Sequence, residues 1–147
     1  MSDLPARFNG RGGVRGSRSL GVAVAVVAAA CGLSHSVGGA VRAAPDATYS
    51  CALRVAGQLG FTVTRSQQES GYFLAERRAT VSGATASADV FFTDLSVSVF
   101  TKEGQTQLVV TASRSKQEGT GPRSTSGLFL QDSDKLAADS VVNACSN

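Results

Sequence analysis

An uncharged run of eleven residues, Leu20–Ala30, limits what the first part of this chain can become. The residues before it carry four arginines and a single aspartate, and Cys31 follows it directly. A positive segment, then a short apolar stretch, then small residues is typical of a secretory signal peptide. The run is also too short for a membrane-spanning helix, which needs about 20 apolar residues. We therefore expect export through a leader rather than an uncleaved anchor.

The end of this run, Val27-Ala28-Ala29-Ala30-Cys31, resembles the lipobox of bacterial lipoproteins, although Ala28 stands where leucine is commonest. The resemblance implies a signal peptide over residues 1–30 and a mature N-terminus at Cys31. It also implies that Cys31 carries a diacylglyceryl thioether and an N-acyl chain that bind the membrane. Glycine rather than aspartate after the cysteine would permit sorting to an outer membrane, where one exists.

The small and glycine-rich residues 31–45 predict a flexible tether between this anchor and a domain over residues 46–147. The alternative is cleavage by an ordinary signal peptidase after Ala40 or Ala43, which would release a soluble periplasmic or secreted protein. Both interpretations place the domain in an oxidising compartment.

The chain has three cysteines. If Cys31 is acylated or removed with the leader, Cys51 and Cys145 remain as a pair, and an exported protein is expected to join them. Two unrelated free thiols are the alternative. A zinc site is not expected, because two cysteines without a histidine in the domain cannot complete a tetrahedral shell.

Two amphipathic helices are expected at the ends of the domain. The first begins near Asp46, which can cap it, and ends at Leu59, before Gly60. The second begins near Asp132 or Ser133, where acids in the first turn suit the helix dipole. Its apolar stripe is placed at Leu136, Ser140, Val141 and Ala144.

Four strands are expected between the helices. The segments 61–65, 72–81, 89–101 and 106–115 alternate or are rich in β-forming residues, and a tight turn over 102–105 joins the last two. Glycines and a proline predict an irregular loop over 116–126. The predicted fold is α+β, an antiparallel four-stranded sheet with both helices packed on one face.

Composition argues against several functions. Removing residues 1–30 leaves ten basic and ten acidic side chains, so nucleic-acid binding, which needs a concentrated basic surface, is not expected. His35, the only histidine, is assigned to the tether or leader, so the domain has no histidine base for catalysis. No phosphate-binding or dinucleotide motif is present. We expect no enzymatic activity, no cofactor and no metal.

Two surfaces could bind a partner. The first is the sheet face opposite the helices, where Tyr72, Phe92 and Phe100 are expected together with Leu74 and Val109. The alternative is a bulge near Thr93 that turns Phe92 inward. The second surface is basic, either a binding site or a solvated sheet edge, and consists of Arg114, Lys116, Arg123, Arg77 and Arg78.

The sequence therefore predicts an envelope lipoprotein with a non-catalytic binding or assembly domain. Its partners would be the membrane, through the lipid anchor, and an unidentified envelope protein or ligand. The alternative is a soluble secreted inhibitor or small-ligand carrier.

Overall fold

The computed structural model of the chain describes residues 33–78, 89–125 and 128–146. The predicted leader, Cys31 and the loop expected after the second predicted strand lie outside these residues. The described elements occur in the following order: β1 (Ser34–Val41), α1 (Pro45–Gln58), β2 (Thr62–Gln67), β3 (Tyr72–Arg78), β4 (Asp89–Lys102), β5 (Gln105–Glu118), β6 (Arg123–Ser124) and α2 (Asp132–Cys145). A single 3₁₀ turn, Gln68–Ser70, joins β2 to β3.

The strands form one antiparallel sheet in the order β1-β5-β4-β3-β2, and the short β6 pairs with the end of β5. The α+β class and the antiparallel sheet are confirmed. The expected count of four strands is wrong for the described residues, because β1 and β6 are added to the four predicted strands. β6 is a two-residue strand inside the loop predicted over residues 116–126, and β5 extends into the same region as far as Glu118.

β1 corrects the predicted tether. Ser34–Val41 pairs with β5 along its whole length, and Val37 and Val41 are buried in the core. The sequence does not predict this strand, because SHSVGGAV has few β-forming residues. Its glycines suit this position, since a Cβ on Gly38 would lie 2.9 Å from the Leu108 carbonyl oxygen. The folded domain therefore begins before residue 46.

Both helices pack against the same face of the sheet. Alternate residues of the central strands point to this face and are fully buried, among them Phe73, Leu95, Val97, Leu108 and Val110. From α1, Tyr49 contributes its ring, which meets Phe73 edge to face at 5.6 Å between centroids, together with Ala52 and Ala56. The small alanines allow the helices to approach the sheet closely.

The helix ends match most of the sequence-based expectations. Pro45, rather than a capping Asp46, begins α1, and Asp46 lies in the first turn, where an acid favours the helix dipole. Gly60 has a φ of +82° and ends the helix as predicted. Gln131 and Asp134 form a capping box at the start of α2.

A disulfide joins the two helices, as the number of cysteines left in the domain predicted. The Sγ atoms of Cys51 and Cys145 are 2.11 Å apart, and the Cα atoms are 5.9 Å apart. The bond links the first half of α1 to the last residue of α2 and closes a loop of 94 residues.

Candidate binding surface on the outer face of the sheet

The face of the sheet opposite the helices, here called the outer face, carries the three predicted aromatic residues. Phe92 and Phe100 are on the same side of β4 because they are separated by an even number of residues. Tyr72 of β3 pairs with Ser98, which lies between them. The alternative with a bulge near Thr93 is wrong, because β4 pairs with β5 in continuous register from Asp89 to Lys102.

The middle of the outer face carries a row of small side chains along β4, which we call the furrow. Its floor is made of Ser96 and Ser98, whose side chains are smaller than those of the residues paired with them on β3 and β5. Larger, half-buried side chains stand on both sides of it: Tyr72 and Leu74 on β3, and Val109 and Thr111 on β5. The furrow therefore offers hydroxyl groups at its floor and apolar surface along its walls.

Aromatic rings lie at both ends of this furrow, and their environments differ. Phe100 is 43% exposed. Phe92 is covered by Arg123, whose guanidinium carbon lies 3.8 Å from the ring centroid, the geometry of a cation–π contact. Arg123 belongs to β6, so the segment after β5 folds back across this end of the outer face.

Two carboxylates surround the same arginine. Glu76 on β3 pairs with Asp94 on β4, and Arg123 binds the Glu76 carboxylate and lies 3.6 Å from the Asp94 Oδ1. Burial raises the pKa of Asp94 above its ordinary value of 3.8, and the positive charge of Arg123 opposes this shift. The hydrogen bond with Glu76 raises the pKa of Arg123 further above its ordinary value. The cluster thus places a polar, charged end next to the hydroxyl-lined furrow.

The predicted basic surface is not formed. Arg114 is buried on the helix side of the sheet, only 7% exposed, with its Nε 4.0 Å from the Asp134 carboxylate. Lys116 also points to that side, where it forms ion pairs with Asp89 at 2.9 Å and Glu118 at 2.8 Å. Strand alternation separates both from Arg123, which the sequence-based grouping overlooked.

The two arginines of β3 are separated in the same way. Arg77 points to the helix side, where it stacks on Phe61 and donates a hydrogen bond of 2.9 Å to the Leu59 carbonyl. Arg78 pairs with Phe92 and shares the outer face. Alternation along one strand therefore assigns the neighbouring arginines to opposite faces.

His35 lies inside the folded domain, contrary to expectation. It occupies β1, and its Nε2 is 3.0 Å from the Oδ1 of Asp139 on α2. The contact ties the edge strand to the helix. The domain therefore contains a histidine, and the expectation of no catalysis cannot be argued from the lack of one.

The described part of the chain also has an open cleft away from the outer face. It is lined by Asp46 at the start of α1 and by residues 67–70, at the end of β2 and in the 3₁₀ turn that follows it. Among residues 33–78, 89–125 and 128–146, no group of three or more histidine, cysteine, aspartate or glutamate side chains is arranged to hold a metal ion. Neither described helix is long and apolar enough to cross a membrane.

Comparison with known proteins identifies no family for this chain. No family model matches it, and no curated protein matches it. Among solved structures, the crystal structure of Ara h 8.0201 matches with 9% sequence identity over 77% of this chain and 94% of the other. Its TM-score of 0.34 is too low to support a shared fold or function.

Proposed function

We propose that this protein is an envelope lipoprotein, anchored in a membrane through Cys31, whose domain is a non-catalytic binding or assembly module. The outer face of the sheet, with the furrow along β4, is its contact surface. The ligand or partner presents an elongated apolar surface with hydrogen-bonding groups that meet Ser96 and Ser98.

The position of β1 supports cleavage before Cys31. A cut at that point removes the leader and leaves Ser34–Val41 paired with β5. A cut after Ala40 or Ala43 would separate this strand from the domain, together with the buried Val37, and would expose the edge of β5. Export through a lipoprotein signal is therefore more compatible with an intact core than the soluble alternative.

The disulfide supports the same proposal. With Cys51 and Cys145 bonded to each other, Cys31 is the remaining cysteine of the chain and is available for acylation. A disulfide also persists best in an oxidising compartment, which suits an exported domain.

The furrow is the observation that carries the binding proposal. A sheet face that meets only solvent is expected to carry polar side chains, yet Tyr72, Leu74 and Val109 flank serines on the outer face. Apolar side chains grouped on an open sheet face are typical of a contact surface.

The anchor is tested by labelling cells with palmitate and by intact mass spectrometry of the purified protein. We expect acyl chains on a mature chain that begins at Cys31, loss of the label in Cys31→Ala, and accumulation of the precursor with globomycin. A soluble product beginning at residue 41 or 44 would contradict the anchor and favour the secreted carrier or inhibitor.

The contact surface is tested by photo-crosslinking in the native envelope. A benzoylphenylalanine at Ser98, on the furrow floor, is compared with one at Arg54, which is exposed on α1. We expect a discrete adduct from position 98 that Tyr72→Ala weakens, and none from position 54. The same pattern of adducts from both positions would contradict the proposed surface.

A further inference from the structure

Three large apolar side chains are exposed near the start of β1 and the start of α2. Leu33 is 42% exposed, Phe129 is 72% exposed and Leu136 is 62% exposed. We call these three residues the apolar corner. The other exposed large apolar residues of the described chain are elsewhere: Phe100 is near the opposite end of β4, and Val63 is on the opposite edge strand, β2.

Contacts between β1 and α2 place two of these residues at one end of the domain. His35 meets Asp139 at 3.0 Å. Leu33 precedes His35 by two residues, and Leu136 precedes Asp139 by nearly one helical turn. Both therefore extend from this contact toward the ends at which β1 and α2 begin.

The cap of α2 brings the third residue to the same end. Asp134 accepts a hydrogen bond of 2.9 Å from the backbone of Gln131 and lies 4.0 Å from Arg114. Arg114 follows Ser113 on β5, and Ser113 pairs with Ser34 at the start of β1. Phe129, two residues before Gln131, is therefore held near the start of β1.

We propose that the apolar corner docks on the surface of the lipid bilayer, directly beside the anchor, an inference that rests on the acylation of Cys31 proposed above. Only Gly32 separates Cys31 from Leu33, so their Cα atoms are at most about 7 Å apart. The headgroup layer on each side of a bilayer is about 5–7 Å thick. An acylated Cys31 therefore holds Leu33 within the interface, and Phe129 and Leu136 face the membrane with it.

The charged side chains around the apolar corner are paired, which selects the kind of membrane contact. Lys135 lies 3.2 Å from Asp132, and His35 contacts Asp139. Because these pairs leave no concentrated basic patch, docking depends on apolar contact rather than on anionic lipids. Vesicles of phosphatidylcholine should suffice, and salt should have little effect on the contact.

The absence of tryptophan from the chain permits a direct test. Single-tryptophan variants Phe129→Trp and Leu136→Trp are compared with Val63→Trp, which is exposed on the opposite edge strand, β2, and lies outside the proposed contact surface. The acylated protein is reconstituted into phosphatidylcholine vesicles, with and without bromine on the acyl chains. Circular dichroism checks the fold of each variant, and intact mass of the same samples reports the acyl chains.

We expect brominated lipid to quench tryptophan at positions 129 and 136 and to shift its emission to the blue, with no effect at position 63. Equal quenching at all three positions, or none at any, in acylated protein would overturn the docking while the anchor stands. A blue shift without quenching would indicate burial against a second copy and would also overturn it. A sample without acyl chains would overturn the anchor, and with it the docking geometry.

Discussion

Thr93 on β4 donates a hydrogen bond of 2.6 Å from its Oγ1 to the Oδ1 of Asp134 on α2, and both residues are buried. The second carboxylate oxygen of Asp134 accepts the Gln131 backbone N–H and lies near Arg114. One buried carboxylate thus caps the helix, binds it to the central strand and compensates a buried arginine.

Replacing Asp134 with alanine should destabilise the domain by about 3 kcal/mol or more, because a buried positive charge is left without its partner. Thr93→Val should cost about 1.5–3 kcal/mol, the value of one hydrogen bond to a charged group. Asp132→Ala, which removes an exposed carboxylate two residues earlier, is the control and should change the stability by less than about 1 kcal/mol. Urea unfolding measures all three, and equal effects for Asp132→Ala and Asp134→Ala would contradict this role.

The disulfide should contribute strongly to stability because it closes a 94-residue loop. In the chain-entropy model, removing such a loop constraint costs about 4–5 kcal/mol. Cys51→Ser combined with Cys145→Ser should therefore lower the midpoint of urea unfolding, and reduction of the wild-type protein should have the same effect. A reduced protein as stable as the oxidised one would show that the bond constrains nothing in the unfolded chain.

Gly71 should not tolerate a side chain. Its φ is +64°, and a Cβ at this position would lie 2.0 Å from the carbonyl oxygen of Val99. Gly71→Ala should cost more than about 3 kcal/mol, because relief of the clash must break the 2.7 Å hydrogen bond from the Val99 N–H to Gly71.

Gly104 is the matched control for this substitution. It has a similar φ of +76°, but a Cβ at this position would have no neighbouring atom within 4 Å. Gly104→Ala should therefore cost only about 1–2 kcal/mol, the strain of the left-handed backbone alone. Thermal unfolding compares the two, and similar losses would contradict the steric explanation.

Asp94 should make the stability depend on pH. Its pKa in the folded protein is raised by burial, so the unfolded chain ionises first as pH increases from about 3.8. Ionisation of Asp94 therefore disfavours the folded state above that pH. Asp94→Asn should be more stable relative to wild type at pH 7 than at pH 3, as measured by urea unfolding. A stability difference between the two proteins that is the same at both pH values would contradict the effect of burial.

Local patterns predicted β4 and β5 well because both strands alternate regularly and a two-residue turn joins them. Glu103 and Gly104 both have positive φ, as such a turn requires. The same reasoning was only partly correct for the inner stripe of α2. Val141 is buried as predicted, but Leu136 is 62% exposed and Ala144 is also exposed, whereas Ala138 and Cys145 are buried.

The rotation of α2 about its axis is a tertiary property. Its face is selected by the bond from Cys145 to Cys51 at one end and by the buried Asp134 at the other. A helix of mostly small residues has several weakly apolar stripes, so hydropathy alone does not choose between them.

The furrow was likewise only partly predictable, since its aromatic ends were identified but Arg123 over Phe92 was not.

The sequence by itself determined the α+β class, both helices, the central hairpin and the pairing of Cys51 with Cys145, because each depends on short-range patterns or on the parity of the cysteines. Only the tertiary structure decided that Ser34–Val41 is a strand and that Arg114 is buried while Arg123 covers the outer face. Those outcomes depend on partners such as Leu108 and Asp134 that are distant in the chain. Close packing between distant segments has no signature in the local sequence of either one.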